Sequence, residues 1–264
     1  MTLVSACTGT EGDLLRTPQG VAPQDGGTST DPEPAPQSTW QIQLTGELDT
    51  TLDVQIFTFD LTTPRSVGTA LHAAGRLVFC YFSAGTRESF RDDAAAFPAS
   101  SLGDALPDYP DERWVDVRDA TVRSIMQERV GKAAEAGCDG IHPSGLDAFL
   151  TSTGLDLQRA DAVDYARWLS GVAHARGLSI GLVQSDTAFS NALVADFDWV
   201  VVWSCLATDC DAAVPFTAAG KAAFLVEYGD ESRSGEVCPQ ADALGLSAII
   251  KRNPDLDAFR VGCP

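Results

Sequence analysis

Basic residues are scarce: 18 Lys and Arg stand against 37 Asp and Glu, a formal net charge of −19. Nucleic acid is therefore a poor partner, because neutralising phosphates takes a basic surface. Long apolar runs are missing too, so no segment reads as a bilayer span. Several short catalytic motifs are also absent, among them HExxH, the phosphate loop and the serine-centred nucleophile elbow. The cysteines form no CxxC pair and no cluster of histidines accompanies them, so no metal site is expected. Nothing points to a cofactor.

What is present suits a globular chain. Its 264 residues can bury a substantial core, as one large α/β domain or two small ones. The acidic balance fits either a cationic ligand or a charged surface that keeps a secreted protein soluble. Seven cysteines point to an oxidising compartment, and Cys205, Cys210, Cys238 and Cys263 crowd the last quarter as a disulfide framework does. Three pairings are open to those four. Cys80 and Cys138 lie in apolar strand-like runs, where they either pair across the core or stay as buried thiols.

At the start, Val4-Ser5-Ala6-Cys7 resembles the lipobox at which bacterial lipoprotein signals are cut and lipidated on cysteine, here Cys7. The basic and apolar regions that usually precede a lipobox are missing, so a chance match is the other reading. Thr8 to Ser38 is rich in Gly, Pro, Thr, Ser, Asp and Gln. Such a composition cannot bury enough apolar surface to offset its ordering entropy. Residues 1–38 therefore read as an anchor and disordered tether, and 39–264 as the folded domain.

From Trp40 onward, strand-like and helix-like runs alternate. The strands fall at Val54–Leu61, Leu77–Ala84, Trp114–Val117, Gly140–His142, Ser179–Gln184, Trp199–Cys205, Ala222–Tyr228 and Ser247–Lys251. Eight short strands, most followed by a helix, predict an α/β fold of the (β/α)8 TIM-barrel type. An open doubly wound sheet is the alternative, but it lacks the glycine-rich loop after its first strand. Gly75, Gly137, Gly177 and Gly220 read as helix stops. The barrel predicts a rim at the carboxyl ends of the strands: Asp60, then Tyr81, Ser83 and Gly85, then Asp116 and Arg118, then His142 to Asp147, then Gln184 and Ser185. Trp203 with Ser204, Glu227 with Tyr228, and Lys251 with Arg252 complete it. Aromatic faces and carboxylates on one rim suit a sugar.

The stretch CDGIHPSGLDAF, Cys138 to Phe149, is the point at which an apolar run gives way to small and polar residues. It also carries a family likeness. Together with Val78 to Gly85 (VFCYFSAG), Trp114 to Asp119 (WVDVRD), Ala173 to Leu178 (AHARGL) and Val226 to Gly229 (VEYG), it resembles the endo-α-1,4-polygalactosaminidase-type glycoside hydrolases, family 114. The likeness runs from Trp40 to the C-terminus. It implies a TIM-type barrel, an extracellular bacterial setting and galactosamine-containing polymers as substrate.

The same likeness exposes departures. At the fourth strand the family typically reads DGV, an acid, then PDNVDGY; here His142 replaces the acid, Ser144 stands at the catalytic aspartate and Gly145 replaces the asparagine. At the sixth strand Trp203 takes the place of a catalytic glutamate, and at the fifth Val183-Gln184-Ser185 replaces a family-like KND. Glycoside hydrolysis needs one carboxyl to protonate the leaving oxygen and another to attack or to activate water. Neither Ser144 nor Trp203 can do this. Three readings follow, so whether the chain is an enzyme is open. One is a degenerate barrel, a monomer that binds polysaccharide or amino sugar at the cell surface through Tyr81, His142, Ser144, Gln184, Trp203 and Tyr228. A second is a working glycosidase with relocated acids, drawn from Asp60, Asp147 and Glu227, with His142 carrying protons near neutral pH. A third is a scaffold whose groove has filled with Trp203 and Val183.

Overall fold

The computed structural model describes residues 32–183 and 186–263. Strands and helices alternate in chain order: β1 (Trp40–Gln43), β2 (Ile56–Asp60), α1 (Arg65–Ala73), β3 (Leu77–Ser83), β4 (Thr86–Glu88), β5 (Leu102–Ala105), β6 (Glu112–Val115) and α2 (Ala120–Ala136). Then come β7 (Gly140–Ser144), α3 (Arg159–His174), β8 (Ser179–Val183), α4 (Thr187–Leu193), β9 (Trp199–Trp203), α5 (Val214–Ala218), β10 (Ala222–Tyr228), α6 (Ser234–Ala243), β11 (Ser247–Lys251) and β12 (Val261–Gly262). One sheet runs β1-β2-β3-β7-β8-β9-β10-β11-β12. All of its pairings are parallel except that of β12, which lies antiparallel on β11. The eightfold parallel barrel is present, and one expected member is not. Trp114–Val117 was expected as its third strand, yet β6 pairs antiparallel with β4 and β5 in a separate three-stranded sheet. β1, four residues at the edge of a polar segment, takes the vacant place in the barrel.

The ring is nearly closed, and the segment after β11 fills the seam between β11 and β1. Leu44 N donates to Leu256 O at 2.8 Å, and Arg260 Nε donates to Trp40 O at 2.8 Å. Across the gap Trp40 Nε1 reaches Ser247 O at 2.9 Å. These bonds satisfy strand-edge groups that a backbone ladder would otherwise use.

Two apolar layers result. Trp40, Ile42, Ile56, Phe79, Trp199, Val201, Phe224, Val226 and Ile249 pack inside the barrel. Alternate residues such as Phe57, Cys80, Ile141, Ile180, Val200, Leu225 and Ile250 face the helices. Strands buried on both faces read as continuous apolar runs, which is why the barrel strands are visible in the sequence. Gly75, Gly137, Gly177 and Gly220 all take left-handed φ between 70° and 81°, ending their helices as expected. Disulfides join Cys80 to Cys138, Cys205 to Cys210 and Cys238 to Cys263. The last of them pins the seam-filling tail to α6. Cys7 and most of the expected tether lie outside the described residues.

Candidate functional site

A cleft of about 570 Å³ opens at the carboxyl ends of the strands. Barrel residues supply its floor: Asp60 of β2, Tyr81 and Ser83 of β3, Ser144 of β7 with Gly145 after it, Trp203 of β9 and Tyr228 of β10. The antiparallel sheet supplies a wall through Thr86, Glu88, Glu112 and Trp114, with Tyr109 from its connecting loop. The two parts meet where Ala84 N and Gly85 N both donate to Ser144 O, at 2.8 and 3.1 Å. A Cβ on Gly85 would lie 1.9 Å from the carbonyl oxygen of Gly145, so only glycine lets the wall approach the floor.

Several expected residues converge here. Tyr81 and Ser144 join by a hydrogen bond of 2.9 Å between their hydroxyls, and burial holds the Tyr81 phenol above the tyrosine range. Trp203 stacks on Tyr228 with ring centroids 6.3 Å apart, and burial pushes the Tyr228 phenol up to about 12. Asp60 accepts from Arg91 Nη2 at 2.8 Å and from Thr62 N at 2.8 Å, so its carboxylate is already committed to an ion pair. Asp147 differs. Burial raises its pKa, Asp186 adds to the effect, and its side chain bonds no other described residue. An open cleft also rules out the filled groove: Trp203 lines it, and Val183 does not.

Other expectations fail on geometry. Glu227 is only 2% exposed and sits on the helix side of β10, in phase with Ala223 and Leu225 rather than with Tyr228. Its carboxylate accepts from Leu206 N at 3.1 Å and lies 3.4 Å from Arg233 Nη1, a structural anchorage outside the cleft. His142 is fully buried beneath the floor, edge-on to Tyr81 and Trp199 at centroid distances of 5.7 and 5.3 Å. Neither ring nitrogen has a partner among the described residues. Desolvation lowers its pKa to about 3, so it carries no proton near neutral pH. Asp116 and Arg118 are not at a barrel rim; Arg118 Nε and Nη2 clamp Asp116 at 2.8 and 2.9 Å beside the antiparallel sheet. Lys251 is buried at the seam, where it donates to Asp257 O at 2.6 Å and burial lowers its pKa to about 8. Gln184 and Ser185 lie outside the described residues.

The residues sequence reasoning missed come from the wall. Thr86 Oγ1 donates to Glu112 Oε2 at 2.8 Å, and burial with the charge of Glu88 raises the Glu112 pKa. Glu88 is itself buried between Arg91 and Arg129, with Arg129 Nη1 at 3.2 Å. Arg129 then reaches Asp93 at 2.7 and 2.8 Å. The available signal was the antiparallel match of Glu88 to Glu112, and only the fold reveals it. Among the described residues, no group of three or more His, Cys, Asp or Glu could hold a metal ion.

A barrel with an aromatic and acidic cleft at its strand ends belongs to the class of carbohydrate-active TIM barrels. The model of glycoside-hydrolase family GH114 matches residues 21–264, and the chain belongs to that family. The crystal structure of Aspergillus fumigatus Ega3 in complex with galactosamine is 34% identical, with a TM-score of 0.84, covering 90% of this chain and 100% of that one. The glycoside hydrolase domain of PelA from Pseudomonas aeruginosa shares the fold at 15% identity and a TM-score of 0.69, covering 85% of this chain and 98% of that one. No curated protein matches the chain.

Proposed function

We propose that this chain binds an amino-sugar polysaccharide in the strand-end cleft and does not cleave it. One observation carries the reading: the cleft is open, yet Ser144 is tied to Tyr81 and Trp203 lies stacked on Tyr228, at the two positions where the family likeness puts acids. A hydroxyl and an indole can bind a sugar, but they cannot supply the carboxyl pair that hydrolysis requires. Galactosamine in the related Ega3 makes an amino sugar the ligand of choice. Three disulfides favour an extracytoplasmic setting. In this reading residues before 32 tether a monomer, through a lipid on Cys7, to the cell envelope. Incubation of the full chain with partly deacetylated galactosamine polymer tests the reading. Saturable binding without release of reducing ends is expected, and release at enzyme-like rates overturns it.

A working glycosidase is the second reading, favoured by one feature. Asp147 and Glu112 both line the cleft, and burial holds each toward the protonated form that a general acid needs. Turnover that Asp147→Asn abolishes would establish it.

A further inference from the structure

The segment that fills the barrel seam is also part of the cleft. Between β11 and β12 it runs as an irregular strap, residues 252–260, from which Pro254, Asp255 and Leu256 line the cleft. Leu256 joins the two roles. Its carbonyl accepts from Leu44 N at 2.8 Å to close the ring, and its side chain, 6% exposed, packs with the inner layer on which Trp203 and Tyr228 also lie. Its backbone is left-handed, at φ 52°. A residue with a Cβ holds that conformation only at a cost, so it stays there while its surroundings keep it there.

Those surroundings are lightly built. Thr45 Oγ1 donates to Asp255 O at 2.8 Å, Lys251 Nζ to Asp257 O at 2.6 Å and Arg260 Nε to Trp40 O at 2.8 Å, each a single bond. Where the strap rejoins the sheet, the pairing of β12 on β11 is two residues long. The covalent tie is the Cys238–Cys263 disulfide, which spans a sequence separation of 25 and encloses the strap. Access sets it apart from the other two. Cys80, Cys138, Cys205 and Cys210 are each at most 8% exposed, whereas Cys238 and Cys263 are half-buried and line a cavity of about 180 Å³ beside the starts of β1 and β11. An exposed disulfide is the one that thiols reach first.

We infer that Cys238–Cys263 is a redox latch on the cleft: a small thiol opens it while the two buried disulfides stay closed, and the strap then draws Leu256 out of the ring. A thiolate of the reductant attacks one sulfur, the other leaves as a thiolate and takes up a proton, and a second thiol resolves the mixed disulfide. Two small thiols are oxidised to a disulfide and the protein gains two cysteine thiols. The latch does not depend on a ligand. Only the expectation that opening it weakens binding rests on the reading above.

The test treats the folded full chain with increasing dithiol, alkylates the freed cysteines, maps them by mass spectrometry and follows amide hydrogen exchange. Cys238 and Cys263 are expected to be labelled before the cysteines of the other two bridges, and exchange at Leu44 N should quicken about a hundredfold. Ile180 N, held by Asp198 at 2.7 Å, should keep its protection. The double variant Cys238→Ser, Cys263→Ser should reproduce the reduced protein without reductant, and galactosamine affinity by calorimetry should fall about threefold in both. Labelling of Cys80 or Cys205 ahead of Cys238, an unmoved rate at Leu44 once the bridge is cut, or loss of protection at Ile180 along with Leu44 overturns the latch. Affinity unchanged with the strap released overturns its link to the cleft. Failure of the oxidised protein to bind galactosamine counts against the binding reading alone, because exchange at Leu44 still decides the latch.

Discussion

Two acids at the amino-terminal end of the barrel and two that line the cleft sit in opposite environments. At the amino-terminal end Asp139, just before β7, pairs with His72 Nε2 at 2.7 Å and accepts from Val78 N of β3 at 2.8 Å. Asp198, just before β9, repeats the arrangement with His174 Nε2 at 3.0 Å and Ile180 N of β8 at 2.7 Å. Each time, an aspartate staples the neighbouring strand, and the helix that leads into that strand, to its own strand. The two histidines, each in the last turn of its helix, act as partners in that staple. At the carboxyl end Asp147 and Glu112 instead have raised pKa values, because burial penalises their charge more than their bonds repay it. Acids are paired at one end and held toward protonation at the other, the division expected of a barrel that offers one face to ligands.

The largest effect should come from breaking a staple. Asp198→Ala leaves Ile180 N without its acceptor and takes one partner from His174, and should cost about 2–3 kcal/mol in urea unfolding. Asn at this position should recover part of the loss, since its carbonyl still accepts from Ile180 N. Asp147→Ala should cost far less, and an equal cost would erase the contrast between the ends. Next is His142, buried between the two regions. Its folded pKa of about 3 lies below the ordinary histidine value of 6.5, so only the unfolded chain takes up the proton as pH falls from 6.5 toward 3. Stability is lost through that window, by about 2 kcal/mol at pH 5 relative to pH 7. His142→Leu should remove this loss, as the difference between unfolding curves at the two pH values will show.

Much of the architecture was legible because parallel strands buried on both sides are unbroken apolar runs, and because left-handed glycines mark where helices stop. The same property hid the site. In β10 both Phe224-Val226-Tyr228 and Ala223-Leu225-Glu227 begin with apolar residues, so the sequence could not tell which set faced the barrel, and Glu227 was placed in the cleft. Trp114 and Val115 looked like a barrel strand because local pattern is blind to antiparallel pairing with Thr86, which is set by distant contacts. β1, Trp-Gln-Ile-Gln, alternates apolar and polar residues and is short, so it was passed over. His142 looked titratable because the ring that seals it, Trp199, arrives from a strand far along the chain.

The smallest effect is the sharpest test of the acids at the cleft. Because the folded pKa values of Asp147 and Glu112 lie above their ordinary 3.8 and 4.5, the folded state holds protons that the unfolded chain has already lost. Stability therefore falls as pH rises from those ordinary values to the raised ones, and stays lower above them. Asp147→Asn and Glu112→Gln should each flatten this fall, leaving stability at pH 7 unchanged or higher by up to about 1 kcal/mol. An ammonium ligand should act in the opposite sense, drawing the protons off when it binds. Calorimetry of galactosamine binding in two buffers of different ionisation enthalpy should then register proton release in wild type at a pH just above the ordinary carboxylate values, reduced in either amide variant. Release that is undiminished in both variants would place the ammonium elsewhere and break the link between the buried acids and the ligand.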